Sequence, residues 1–158
     1  MKIIILNSSY RKKGNTGRIV GLLEEILQQA AARSHEPLET EIIHLAHQKV
    51  LSCQGCRICF DRGEEFCPLK DDLQAIKKKI KEADAMVLAS PVYVNDVNGV
   101  MKNWIDRLAH VCHRPEFYGK SAYLLATTGQ SPCIHTLNTM NLAIRTWGIT
   151  TLGRSGFI

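Results

Sequence analysis

The sequence predicts an α/β fold in which a five-stranded parallel sheet is covered by helices on both faces. Three observations carry that expectation. Short β-branched stretches alternate with longer segments whose apolar residues recur every three or four positions. Several of the short stretches are hydrophobic throughout, as strands buried on both faces must be. A length of 158 residues, 45% hydrophobic and 22% charged, suits one domain built around a single core.

Residues 2–7 (Lys-Ile-Ile-Ile-Leu-Asn) read as the first strand. The polar loop Ser8–Thr16 follows, and then a helix with Ile19, Val20, Leu23, Ile26, Leu27 and Ala30 on one face. Pro37 ends that connection, and Thr40–Leu45 is the second strand. A cysteine-rich insertion at about 48–70 then breaks the alternation. Asp71 or Asp72 can cap the next helix, with Gln74 in capping-box register to Asp71 and Leu73, Ile76 and Ile80 facing inward. Its run Lys77-Lys78-Lys79 with Lys81 reads as a solvated face.

Ala85–Ala89 is the third strand, expected to stop at Ser90-Pro91 because proline cannot donate to a ladder. Met101, Trp104, Ile105, Leu108 and Val111 mark the following helix. Ser121–Thr127 is the fourth strand, Ile134–Trp147 a helix, and Ile149–Leu152 the fifth strand, with no helix after it. Strict alternation implies right-handed crossovers and a doubly wound sheet, and the flavodoxin-like order 2-1-3-4-5 is the simplest solution. Residues 1–158 are thus expected to form one domain with an insertion.

Composition excludes several function classes. No apolar run approaches the roughly 20 residues of a membrane span, and the N-terminal stretch has no small-residue cleavage site, so a cytoplasmic protein is expected. Its six cysteines then read as thiols, metal ligands or redox groups rather than a disulfide framework. The net charge of +5 comes without an aromatic-interleaved basic patch, which argues against nucleic acid as a partner.

In such sheets ligands bind beyond the carboxyl ends of the strands, at the switch point between the first and third. Ser8, Ser9, Asn15 and Thr16 offer hydroxyl, amide and N–H donors at a helix N-terminus, and Arg11 adds a charge, a set suited to a phosphate. Neither G-x-G-x-x-G nor a P-loop is present. Pro91, Val92, Tyr93 and Asn95 form a turn whose aromatic ring could wall a flat ligand. Thr127, Thr128 and Gly129 supply a third polar loop.

Cys53, Cys56, Cys59 and Cys67 make the run C-x2-C-x2-C-x7-C. Three thiols at every third residue, closed by a fourth, suit a polynuclear iron–sulfur centre; structural zinc and uncomplexed thiols are the alternatives. Cys112 and Cys133 read as packing residues, and His44, His47, His110 and His113 as element ends.

Together these loops resemble the flavin site of the flavodoxin-like NAD(P)H-dependent FMN reductase family. Ser8–Thr16 is similar to its phosphate loop, Ser90-Pro91-Val92-Tyr93 with Gly99–Arg107 to its isoalloxazine loop and following helix, and Thr127-Thr128-Gly129 to its third flavin contact. The cysteine run followed by Asp71-Asp72 resembles that of the iron–sulfur flavoproteins. The resemblance implies FMN, a [4Fe-4S] cluster on Cys53, Cys56, Cys59 and Cys67, and NAD(P)H as donor to a small-molecule or protein acceptor. A homodimer or higher homo-oligomer is also expected, formed through the helix carrying Trp104 and Asp106-Arg107.

Overall fold

The computed structural model describes residues Met1–Ile158. β1 is Lys2–Asn7, α1 Asn15–Ser34 and β2 Glu39–His44. The short helix α2, Ile58–Asp61, lies in the cysteine-rich segment, and α3 spans Leu73–Glu82. β3 covers Ala85–Tyr93, β4 only Asp96–Val97, and α4 Gly99–Arg107. β5 (Ser121–Thr127), α5 (Ile134–Thr146) and β6 (Thr150–Phe157) complete the chain. The sheet order is β2-β1-β3-β5-β6, parallel throughout, with β4 folded back antiparallel on β3. Without β4 this is the flavodoxin-like order, and its switch point falls between β1 and β3.

The period-two geometry of a strand divides β1 between two cores. Ile3 and Ile5 join Val87, Ala89 and Leu125 under Val20 of α1. Ile4 and Leu6 join Met86, Leu88 and Leu124 on the opposite face, where α3, α4 and α5 contribute Ile76, Ile80, Met101, Trp104, Met140 and Ile144. Trp147 stands edge-on to Trp104, with ring centroids 5.2 Å apart. No helix is long and apolar enough to cross a membrane.

Three local expectations change. β3 runs through Pro91 to Tyr93: β1 ends at Asn7 opposite Ala89 and β4 pairs only with Val92 and Tyr93, so at Pro91 the one ladder partner is β5, and a strand tolerates proline there. β6 extends well past Leu152, its pattern masked by Gly153 and Gly156 at a mostly exposed sheet edge. Neither aspartate forms the capping box. Asp71 Oδ1 accepts from Leu73 N at 3.1 Å, while Asp72 Oδ2 accepts from Lys49 N at 2.7 Å. Trp104 and Arg107 are buried, and α4 faces outward through residues such as the Lys102–Asp106 pair (2.5 Å).

Candidate functional site

A cleft of about 240 Å³ opens at the carboxyl ends of β1, β3 and β5. It is lined by Ser9, Arg11, Asn15, Thr16, Pro91, Val92, Tyr93, Thr127, Thr128 and Gly129, all expected from the sequence, together with Gly14. Ser8 and Asn95 are not in that lining. Ser8 is fully buried and gives both its N–H (3.0 Å) and its Oγ–H (3.2 Å) to Ala89 O, which ties β1 to β3. Asn95 (φ 66°) sits with Val94 (φ 48°) at the tip of the β3–β4 hairpin. Left-handed backbone at two successive residues gives the tight turn its twist, although a β-branched valine adopts it at a cost.

The loop after β1 holds itself open. Asn7 Oδ1 accepts from Ser9 N at 2.9 Å, Ser9 Oγ from Arg11 N at 3.2 Å, and Arg11 O from Gly14 N at 3.0 Å. Gly14 occupies the cap position of α1, and no side chain caps that helix, so its first-turn N–H groups are available to an anion. Thr16 lies inside the first turn, its hydroxyl 2.7 Å from that of Thr127, which joins the first loop to the third.

Two supporting residues escaped the sequence reading. A Cβ on Gly17 would stand 1.8 Å from Lys12 O, so the loop can cross α1 only because that residue is glycine. Asn98, fully buried, gives Nδ2–H to Ser8 O (2.8 Å) and its N–H to Ser90 Oγ (3.3 Å), and its Oδ1 caps α4 at Met101 N (3.1 Å). It locks the first two loops to the start of α4. Its one legible signal was a cap-forming asparagine before a helix.

These features fit a flavin mononucleotide. The uncapped helix end and Arg11 suit its phosphate, and Pro91-Val92-Tyr93 offers a wall for a flat ring. No carboxylate, imidazole or thiol lines the cleft. The chain can hold and orient a redox cofactor there, with few side chains able to exchange protons.

The cysteine-rich segment lies at the other end of α4. Asn103 Nδ2–H donates to Val50 O at 3.0 Å, Arg107 to Leu51 O at 2.7 Å, and Asp71 Oδ2 accepts from Leu51 N at 2.8 Å. These bonds fasten the chain just before Cys53. Cys53, Cys59 and Cys67 line one cavity together with Phe60, Leu69 and Leu73. Burial pushes the Cys59 thiol up, and the nearby Cys67, Cys53 and Cys56 add to that rise; Cys56 is exposed and lies outside the lining of this cavity. Gly55 (φ 65°) and Arg57 (φ 62°) flank Cys56 in left-handed conformations, the kind of turn in which backbone N–H groups converge on an anionic centre. Four free thiols on such a loop fit an iron–sulfur cluster.

A buried charge network secures the same segment. Lys77 is only 2% exposed, because Leu73, Ile76, Lys77 and Ile80 form one helical stripe; it does not belong to a solvated face. Its Nζ donates to Glu64, lies 2.6 Å from Glu116 Oε1 and stands 3.1 Å from His110 Nε2, which is itself 2.5 Å from Glu64 Oε2. Glu64, His110 and Glu116 are close enough to hold a metal ion, but the ammonium already sits among them.

Burial, reinforced by Lys77, lowers His110 from 6.5 to about 4. The unfolded chain therefore takes up this proton first as the pH falls. The contribution of His110 to stability is fully present above pH 6.5 and is lost, on the order of 3 kcal/mol, as the pH falls through 6.5 towards 4. Denaturant unfolding followed by tryptophan fluorescence from pH 7.5 to 4 should show that slope, and His110→Gln should flatten it.

Comparisons with known proteins agree with this arrangement. The family model described as NADPH-dependent FMN reductase matches residues 1–158. The chain is 33% identical over 156 residues to an iron-sulfur flavoprotein of Archaeoglobus fulgidus, covering 97% of this chain and 66% of that protein. It is 41% identical over 107 residues to an iron-sulfur flavoprotein of Methanocaldococcus jannaschii, covering 68% of this chain and 51% of the other. The chain thus spans about half to two thirds of these relatives. Among solved structures, an NADH:FMN oxidoreductase superposes with a TM-score of 0.67 at 19% identity, covering 99% of this chain and 74% of that one, which is a likeness of fold.

Proposed function

Because this chain belongs to the NADPH-dependent FMN reductase family, we propose that it is an FMN-dependent oxidoreductase that takes electrons from NAD(P)H and passes them to a small-molecule or protein acceptor. The observation that carries this reading is the cleft at the switch point, with its uncapped helix end and its lack of acid or base side chains. When bound, FMN supplies the hydride and electron chemistry. The phosphate is assigned to Ser9, Arg11, Asn15 and Thr16, with Ser8 and Asn98 fixing that loop from beneath. Pro91, Val92 and Tyr93 orient the ring, Asn95 holds the hairpin beside it, and Thr127, Thr128 and Gly129 close the third side. Six free thiols accord with a reducing cytoplasm.

The cysteine cavity favours a second reading alongside the first, in which Cys53, Cys56, Cys59 and Cys67 hold a [4Fe-4S] cluster that exchanges electrons with the flavin. Protein purified without oxygen should contain one FMN per chain, with four irons and four sulfides if the cluster reading holds. Cys59→Ala should abolish the iron and leave the FMN in place. Iron-free protein that still oxidises NAD(P)H would leave the reductase reading alone, and protein that binds no FMN would sink both.

A further inference from the structure

A second cavity of about 240 Å³ lies between the loop after β1, the residues that follow β2 and the start of α4. Its chemistry differs from that of the flavin cleft, which is lined mainly by hydroxyl, amide and glycine residues. Leu45, Ala46, Val50, Val100 and Trp104 make this one apolar. Its polar side chains, Tyr10, Gln48, Ser52 and Asn103, are all uncharged. A phosphate or carboxylate would give up its hydration there without a cation to replace it, which excludes nucleotides. One donor is left over inside: Trp104 is 1% exposed, and its indole N–H is buried without a partner. A buried N–H without an acceptor is costly, so a fitting ligand brings an acceptor atom. The volume, just under the roughly 300–1,000 Å³ of sites for drug-sized ligands, limits that ligand to one or two rings.

We propose that this cavity is an acceptor pocket separate from the flavin cleft, taking an uncharged, carbonyl-bearing ring whose oxygen accepts from Trp104 Nε1–H. The proposal deepens the reductase reading and rests on it. Position supports it as much as chemistry. Tyr10 stands between Ser9 and Arg11, both in the flavin cleft, and Ser52 immediately precedes Cys53. A ring held here therefore borders the flavin loop on one side and the start of the cysteine run on the other. In the overall reaction NAD(P)H gives up a hydride and becomes NAD(P)+. With one proton from water, the two carbonyls of a quinonoid ring take up two electrons and two protons and become hydroxyls, so the ring is reduced as the nicotinamide is oxidised. Because the pocket lacks charge and lies outside the cleft, the acceptor and the nicotinamide do not compete for one place.

The probe is duroquinone, whose four methyl groups block addition of thiols, and the measurement is equilibrium dialysis against the full chain with oxidised FMN bound. Wild type should bind one duroquinone per chain, undisturbed by NADP+ and equally well without FMN. Ala46→Phe and Gly99→Leu fill the pocket from two different walls, and a Cβ on Gly99 meets nothing within 4 Å. Each should weaken duroquinone at least about tenfold and leave FMN affinity unchanged. Trp104→Phe removes one neutral hydrogen bond and should weaken it about fivefold. In turnover, Ala46→Phe should raise KM for duroquinone at least about tenfold, with the rate of flavin reduction by NAD(P)H unmoved. Duroquinone displaced by FMN or NADP+, or bound as tightly by both filled variants, overturns the proposal. FMN bound by a wild type that takes no duroquinone overturns the pocket alone. Duroquinone bound by a chain that takes no FMN overturns the reductase reading and, with it, the acceptor role.

Discussion

Lys77→Ala should lower the unfolding free energy by about 3 kcal/mol, the low end of what removing one partner from a buried ion pair costs. The low end applies because Glu64 and Glu116 keep 25% and 21% of their side chains exposed, so water relieves part of their repulsion. Removing the ammonium leaves two carboxylates and a neutral imidazole facing each other. Burial would raise Glu116, yet Lys77 and Lys81 hold it below the ordinary carboxylate range. Chemical denaturation at pH 7 measures the loss. Lys77→Met separates charge from volume: it should be nearly as damaging alone and largely tolerated with Glu64→Gln and Glu116→Gln, since an apolar side chain with neutral partners restores compatibility. A Lys77→Ala protein as stable as wild type would show that the network carries no net stabilisation.

Gly17→Ala should weaken FMN binding about a hundredfold, or about 3 kcal/mol. The added methyl cannot coexist with Lys12 O at 1.8 Å. Because the clash is with backbone, the loop must move as a unit, carrying Ser9 and Arg11 away from the α1 terminus. One or two charge-assisted hydrogen bonds to a phosphate, each worth about 1.5–3 kcal/mol, would then be lost. Titration of apoprotein with FMN, followed by flavin fluorescence quenching, gives the affinity, and unchanged affinity would move the phosphate away from this loop. Riboflavin, which lacks the phosphate, should bind wild type and variant alike.

The sheet order and the cleft were legible because they depend on apolar runs and on where those runs end. Lys2–Asn7 and Ala85–Ala89 could only be buried strands, and the polar residues after them could only lie at the switch point. Pro91 misled because a proline's tolerance depends on whether the neighbouring strand still runs beside it, which is a tertiary fact. Lys77 was mistaken for surface because chemistry outweighed register: its spacing from Leu73 and Ile80 already placed it on the buried stripe. Its partners Glu64, His110 and Glu116 were beyond reach, since they come from two other segments, the cysteine-rich insertion and the connection between α4 and β5. Asn98 shows the same limit. Its cap role is local, but its bond to Ser8 spans 90 positions.

The anchoring of the cysteine segment has a consequence for how this fold diversifies. Deleting residues 48–70 would remove Glu64 from Lys77 and His110, and would take Leu51 from Arg107. A descendant that discards the segment therefore inherits interior charges evolved for a missing neighbour. Positions 64, 77 and 110, and separately 71 and 107, should change in concert across relatives, each set gained or lost as a block. A transplant of the cysteine motif into a plain flavin domain would need those framework positions to travel with it.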